Sequence, residues 1–107
     1  MVRHRILISE AADRERRRLS PVQERKLLWC RDRLATDPTA GDNIRKDLIP
    51  RDLKRHFGIE NLWRAELPGA WRLLYTIVAK VDVRPEVRVL RILNHKEYDR
   101  LFGYATS

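Results

Sequence analysis

The stretch NLWRAELPGAWRLLYTIV (61–78) sets Arg64, Glu66 and Arg72 on either side of a Pro-Gly turn. Two guanidinium forks beside one carboxylate suit the gripping of a phosphate, because paired N–H groups meet paired phosphoryl oxygens. The competing reading is an ordinary ion pair between Glu66 and Arg72 on a water-facing sheet, contributing only about 0.2–1 kcal/mol. The phosphate reading requires all three side chains to share one face.

Strand alternation brings them together. On the first strand Trp63, Ala65 and Leu67 point one way, and Leu62, Arg64 and Glu66 the other. On the second, Trp71, Leu73, Tyr75 and Ile77 oppose Arg72, Leu74, Thr76 and Val78. A three-residue loop, Pro68-Gly69-Ala70, pairs Leu67 with Trp71 and Glu66 with Arg72, with glycine available for a left-handed position. A two-residue loop would set Glu66 against Trp71 and mix the faces, so it is rejected. Trp63 and Trp71 then belong to a core packed against helices. Arg64, Glu66 and Arg72 gather on the opposite face, which is expected to be open.

The remaining elements follow from punctuation and periodicity. HRILIS (4–9) suits a first strand. From Glu10 the pattern turns helical and highly charged, with Ala11, Ala12 and Leu19 as sparse anchors. Ser20, Pro21 and Gln23 form a strong helix start, with a cap, a first-turn proline and a capping box. That helix is predicted to reach about Ala35 and to present Leu27, Cys30 and Leu34 on one side; TDPTAGDN (36–43) ends it. A short helical turn over 49–58 stops at Gly58, strands follow at 62–67, 71–79 and 86–93, and 95–104 makes a last helical turn. The order predicts one α+β domain over 1–107, with helices on one side of a three- to four-stranded antiparallel sheet.

Composition bounds the partners. A chain of 107 residues with 43% hydrophobic content can bury one modest core. No apolar run approaches the roughly 20 residues of a membrane span, so a soluble chain is expected. The basic start MVRHRILISEAADRERRR has too short an apolar run for a signal peptide. Cys30 is alone, which excludes an internal disulfide or a cysteine-based zinc site and agrees with a reducing cytoplasm; it reads as a small buried hydrophobe. A net charge of +8, with arginine well ahead of lysine, favours polyanions or an acidic protein partner.

Taken together, the helical pair ending in LATDP, the NLWRAELPGAWRLLYTI hairpin and the VRVLRILNHKEYDRLF ending resemble, in order, the RelE/ParE toxin superfamily of toxin–antitoxin systems. The most specific part is Trp71-Arg72-Leu73-Leu74-Tyr75 after a glycine-containing turn, followed near the end by His95-Lys96 and Tyr98. The resemblance covers nearly the whole chain. It implies a RelE-like fold, an acidic antitoxin as partner, and no metal or cofactor. The RelE branch cleaves messenger RNA in the ribosomal A site, whereas the ParE branch inhibits DNA gyrase. A catalytically silent relative that only binds RNA or a partner chain is a third possibility.

Carried over by position, Arg64 and Arg72 match the central-strand residues that stabilise the scissile phosphate. His95 or Lys96 falls in the family's C-terminal catalytic segment, and Tyr98 or Tyr104 supplies its tyrosine. The chain departs from the pattern in two places. Glu66 stands where some RelE proteins are basic and others use a glutamate base, and the His95–Tyr98 spacing is shorter than usual. RNA cleavage without a metal needs a base for the 2′-OH, a cation for the phosphorane and an acid for the 5′-oxygen. Arg72, backed by Arg64, suits the second role, and Glu66 beside arginine stays ionised for the first. His95 suits the third, imidazole having an ordinary pKa of about 6.5; a surface or capping histidine is the plainer reading.

Lys46, Arg51 and Lys54, with Arg55, form a basic patch suited to RNA backbone, although a solvated helical face accounts for them nearly as well. Arg91 joins this RNA-contacting set. Tyr98 and Tyr104 either stack on a splayed base or close the core beside Phe102. His4 and His56 carry no special role.

Overall fold

The computed structural model describes residues 3–79 and 85–103. Several of its helices begin or end on local signals. Strand β1 (Arg5–Ile8) leads through the cap Ser9, whose side chain accepts from the Ala12 N–H, into α1 (Glu10–Arg16). Helix α2 (Pro21–Thr36) opens on the expected capping box, with Ser20 and Gln23 each satisfying the other's backbone N–H. A 3-10 turn at Pro38–Ala40 precedes a short strand, β2 (Asp42–Ile44), and a second 3-10 turn at Lys46–Leu48 precedes α3 (Arg51–Phe57). Gly58 closes α3 with φ 62°, a left-handed value that glycine adopts without steric cost. Strands β3 (Leu62–Leu67), β4 (Trp71–Val78) and β5 (Glu86–Leu93) follow, and α4 (His95–Phe102) comes after them. No helix among the described residues is long and apolar enough to cross a membrane.

The fold is α+β, and the five strands form one sheet in the order β1-β5-β4-β3-β2. The hairpin register is the expected one, with Leu67 opposite Trp71 and Glu66 opposite Arg72. Two features go beyond the sequence reading. β2 adds an edge strand against Leu62–Arg64 from within the stretch read as loop. β1 pairs in parallel with β5, so the sheet is mixed rather than antiparallel.

Both faces of the sheet are covered. α1 and α2 bring Ala12, Cys30 and Leu34 onto Leu67, Leu73, Tyr75, Val87, Val89 and Ile92, with Trp63 and Trp71 packed against that cluster as alternation required. The opposite face, expected to be open, carries Leu62, Leu74, Leu90 and Leu93 beneath Ile49, Leu53 of α3 and Tyr98 of α4. The reason is plain in WRLLYTIV: a strand apolar on both sides must be buried on both. Tyr98 is the margin of this cover and lies against Arg64 and Arg72, while Glu66 beyond them is exposed.

A bulge in β5 decides how α4 arrives. Leu74 faces Arg91 and Tyr75 faces Val89, which leaves Leu90 as the extra residue. One inserted residue reverses the alternation. Val87, Val89 and Ile92 therefore share the α1–α2 face, while Leu90 and Leu93 turn to the other. β1 ends opposite Val89, so α1 completes the outer edge of β5 beyond it. The Ser9 hydroxyl donates to the Leu90 carbonyl at 2.6 Å, and the Glu15 carboxylate accepts the Ile92 N–H at 2.9 Å. Two backbone groups around the bulge, the Leu90 carbonyl and the Ile92 N–H, are thereby satisfied.

The two-sided cover has a measurable consequence. Leu74→Ala is expected to destabilise the chain by about 2–5 kcal/mol, as for a fully buried leucine. Leu28→Ala, on the exposed side of α2, should change it by less than about 0.5 kcal/mol. Urea denaturation checks both; near-equal midpoints for the two variants would refute burial of the second face.

Candidate functional site

Arg64 and Arg72 project from neighbouring strands onto the same face, at the margin of the cover. Arg64 Nη1 donates to the Tyr98 hydroxyl at 2.9 Å, and Nη2 donates to the Asp42 carboxylate at 3.2 Å. The guanidinium carbons of Arg64 and Arg72 stand 5.8 and 5.5 Å from the centroid of the same Tyr98 ring. Both arginine side chains are largely withdrawn from water, at 28% and 18% exposure, while Glu66 is 61% exposed. The Nε atoms of Arg64 and Arg72 are buried and have no hydrogen-bond partner among the described residues. The Arg72 Nε lies 3.7 Å from a Glu66 oxygen, an ion-pair distance too long for a good hydrogen bond. Burial alone would pull the Arg64 guanidinium down, but the Tyr98 hydroxyl and the Asp42 carboxylate outweigh it and hold its pKa above the ordinary value.

The loop that joins these strands is held from outside. Gly69 and Ala70 both have positive φ, 74° and 60°, and Gln23 Nε2 donates to the Pro68 carbonyl at 2.8 Å. Where pairing with β2 ends along the edge of β3, an open groove of about 310 Å³ is lined by Trp29, Arg33, Asp42, Arg64 and Glu66 among others.

The start of α4 lies next to this cluster, because Leu93 is the cross-strand partner of Arg72. Asn94 caps the helix in a second capping box, with Glu97 as its reciprocal partner. His95 occupies the first helical position; its side chain is 61% exposed and its Nε2 is 3.1 Å from Asp99 Oδ2, one turn along the helix. Lys96 is exposed beside it. Lys46, Arg51, Lys54 and Arg55 are exposed on the 3-10 turn and α3, the elements that cover the same face farther along.

By sequence alone the chain matches no protein-family model and no curated protein. By structure it is similar to the toxin RelE of E. coli, solved in the free state with two arginines replaced by alanine. The TM-score is 0.60, over 97% of this chain and 95% of that one, at 17% sequence identity. The chain has the RelE fold.

Within the RelE fold, the residues singled out from the sequence fall into three groups. Arg64, Glu66 and Arg72 are brought together. His95 and Lys96 sit at the adjoining helix start, with His95 turned to Asp99 rather than to the arginines. Tyr98 and Arg91 have structural places. Tyr98 is 4% exposed and stacks on Phe102 at 4.4 Å, so it closes the core and serves as a platform for the arginines instead of facing a base. Arg91 meets the Glu15 carboxylate at 2.7–3.1 Å through Nε and Nη2, which braces α1 to the β5 bulge and leaves the guanidinium engaged. Tyr104 lies outside the described residues.

Sequence reasoning missed Asp42, Arg18 and Glu97. Asn94-x-x-Glu97 carries a readable capping signature, whereas nothing local marks Asp42 or Arg18 as partners of residues far along the chain. Arg18 donates to both Glu97 oxygens at 3.0 and 3.3 Å. Burial would raise the Glu97 carboxyl, but Arg18 and the Asn94 N–H hold it below its ordinary 4.5.

A carboxyl depressed by folding adds stability that is complete above its unfolded pKa and is lost as pH falls through the folded one. Glu97→Gln keeps an acceptor for the Asn94 N–H while removing the charge. Its deficit against the parent chain is expected to be about 0.2–1 kcal/mol at pH 7, the range of an exposed ion pair. The deficit should shrink toward zero as pH drops well below 4.5. Urea midpoints between pH 3 and pH 7 test this, and a deficit independent of pH would contradict it.

Proposed function

We propose that this chain is the toxin of a type II toxin–antitoxin pair, acting in the cytoplasm as a ribosome-dependent endoribonuclease neutralised by an acidic antitoxin. The observation that carries the reading is the pair of half-buried guanidinium groups over one tyrosine ring, each with a buried Nε that has no hydrogen-bond partner among the described residues. A cation withdrawn from water without full protein acceptors is poised for an anion that brings them. A phosphodiester has the right charge and oxygen spacing, and the +8 chain attracts the polyanion that contains it.

The chemistry divides among named side chains. Glu66, beside Arg72, takes the 2′-OH proton, and O2′ attacks phosphorus. Arg72 and Arg64 stabilise the charge that gathers on the non-bridging oxygens as the phosphorane forms. His95 turns from Asp99 and gives a proton to the departing 5′-oxygen, with Lys96 as the neighbouring cation. The products are a 2′,3′-cyclic phosphate and a free 5′-hydroxyl, so atoms and protons balance and no metal or cofactor is invoked. Lys46, Arg51 and Lys54 line the approach of the RNA backbone.

Induced expression in bacteria should stop growth and leave messages cut at ribosome-occupied codons, mapped by sequencing 5′-hydroxyl ends. Arg72→Ala is expected to remain folded and to lose about 100-fold or more in cleavage, the usual loss of a donor that meets transition-state charge. DNA breaks with intact messages would instead indicate a gyrase-directed protein. Intact messages and intact DNA would indicate a silent binding protein. Undiminished toxicity of Arg72→Ala would remove the residue at the centre of the mechanism.

A further inference from the structure

Arg18, in the connection between α1 and α2, and Gln23, in the first turn of α2, touch the two elements that carry the candidate site. Gln23 Oε1 accepts the Ser20 N–H at 2.9 Å, and its Nε2 donates to Pro68 in the hairpin loop at 2.8 Å. Arg18 grips the Glu97 carboxylate with two N–H groups, while its guanidinium carbon lies 5.1 Å from the centroid of the Trp71 ring. Glu97 Oε1 also accepts the Asn94 N–H at 3.0 Å. Each capping-box side chain therefore closes its own helix and ties it to an element distant in sequence. The hairpin holds Glu66 and Arg72; α4 holds His95 and Lys96.

We propose that Arg18 and Gln23 are positioning residues that fix the hairpin's arginines against the first turn of α4, and so set the reach of His95 to the scissile phosphate. The proposal rests on the nuclease reading above. The contacts are poor investments if stability were their purpose: Arg18 and Glu97 are 45% and 30% exposed, and such pairs add little to folding. They suit geometry better. A two-pronged guanidinium–carboxylate contact fixes orientation as well as distance, and Trp71 beneath Arg18 adjoins Arg72. His95 and Lys96 are themselves exposed, so Asn94, Glu97 and Tyr98 are what hold the first turn of α4 in place.

The test compares Arg18→Ala, Arg18→Lys and Gln23→Glu with the parent chain. Glutamate at position 23 keeps an acceptor for the Ser20 N–H but loses the donor to Pro68. Amide hydrogen exchange of His95–Asp99 reports the tie without reference to activity. Arg18→Ala should speed that exchange up to about fivefold, equivalent to the upper end of an exposed ion pair, with the core amides of β4 unchanged. Ribosome-programmed cleavage should show kcat down at least about tenfold with KM unchanged, as for a displaced catalytic group. Arg18→Lys should recover part of that loss, Gln23→Glu should lower kcat in the same way, and Arg18→Ala should add nothing in a His95→Ala background.

Parent-like exchange in α4 of Arg18→Ala would overturn the proposal even in an active enzyme. So would a loss confined to KM, or one that persists in full without His95. A parent chain that cuts no RNA on ribosomes would overturn the nuclease reading and the catalytic half of the proposal, and the exchange data would then judge the mechanical tie alone.

Discussion

β4 carries Leu73 and Tyr75 on one face and Leu74 on the other, and none of the three meets solvent. A central strand of this kind cannot leave either face of its sheet to water, and the rest of the architecture answers that demand. α1 and α2 cover one side; α3 and α4 cover the other as far as Leu62, Leu74, Leu90 and Leu93 reach. The bulge at Leu90 is what turns Leu93, and the helix behind it, toward the second side. Where the leucines end, the arginines begin. The candidate site is thus the unfinished margin of a hydrophobic layer, walled on one flank by the core itself.

That placement explains the electrostatics. Two like charges over one ring repel each other and lose hydration, both of which disfavour the folded state. The Tyr98 face and hydroxyl, with Asp42 and Glu66 nearby, offset part of this cost. Under the proposed function the remaining imbalance is what a bound anion would relieve, since functional sites commonly retain arrangements that folding alone would not favour. The two carboxylates are the solvated members of the set and the guanidinium groups the desolvated ones.

Much of this was legible in local sequence. The capping box of α2, the left-handed close of α3 at Gly58 and the three-residue hairpin loop follow from residues within a few positions of one another, and the structure has all three. Alternation correctly put Trp63 and Trp71 on the core side and gathered Arg64, Glu66 and Arg72 on the other. The parallel pairing of β1 with β5, the β2 edge and the Leu90 bulge depend on partners far along the chain, for which a strand pattern alone has no index. The same limit hid the engagement of Arg91 by Glu15 and of Glu97 by Arg18, in which both partners look like solvated charges when read singly. The covered second face was readable in principle, because Leu62 and Leu74 share the side assigned to Arg64.

The union of β1 with β5 also sets an order of events. About three-quarters of the chain separates Arg5 from Glu86, its partner across that ladder, and a contact so distant closes slowly. During synthesis the first strand must wait, unpaired, for the fifth, and the tyrosine on which both guanidinium groups rest arrives later still. A copy still being made holds the arginines without the ring beneath them; the grip is assembled only once α4 has emerged.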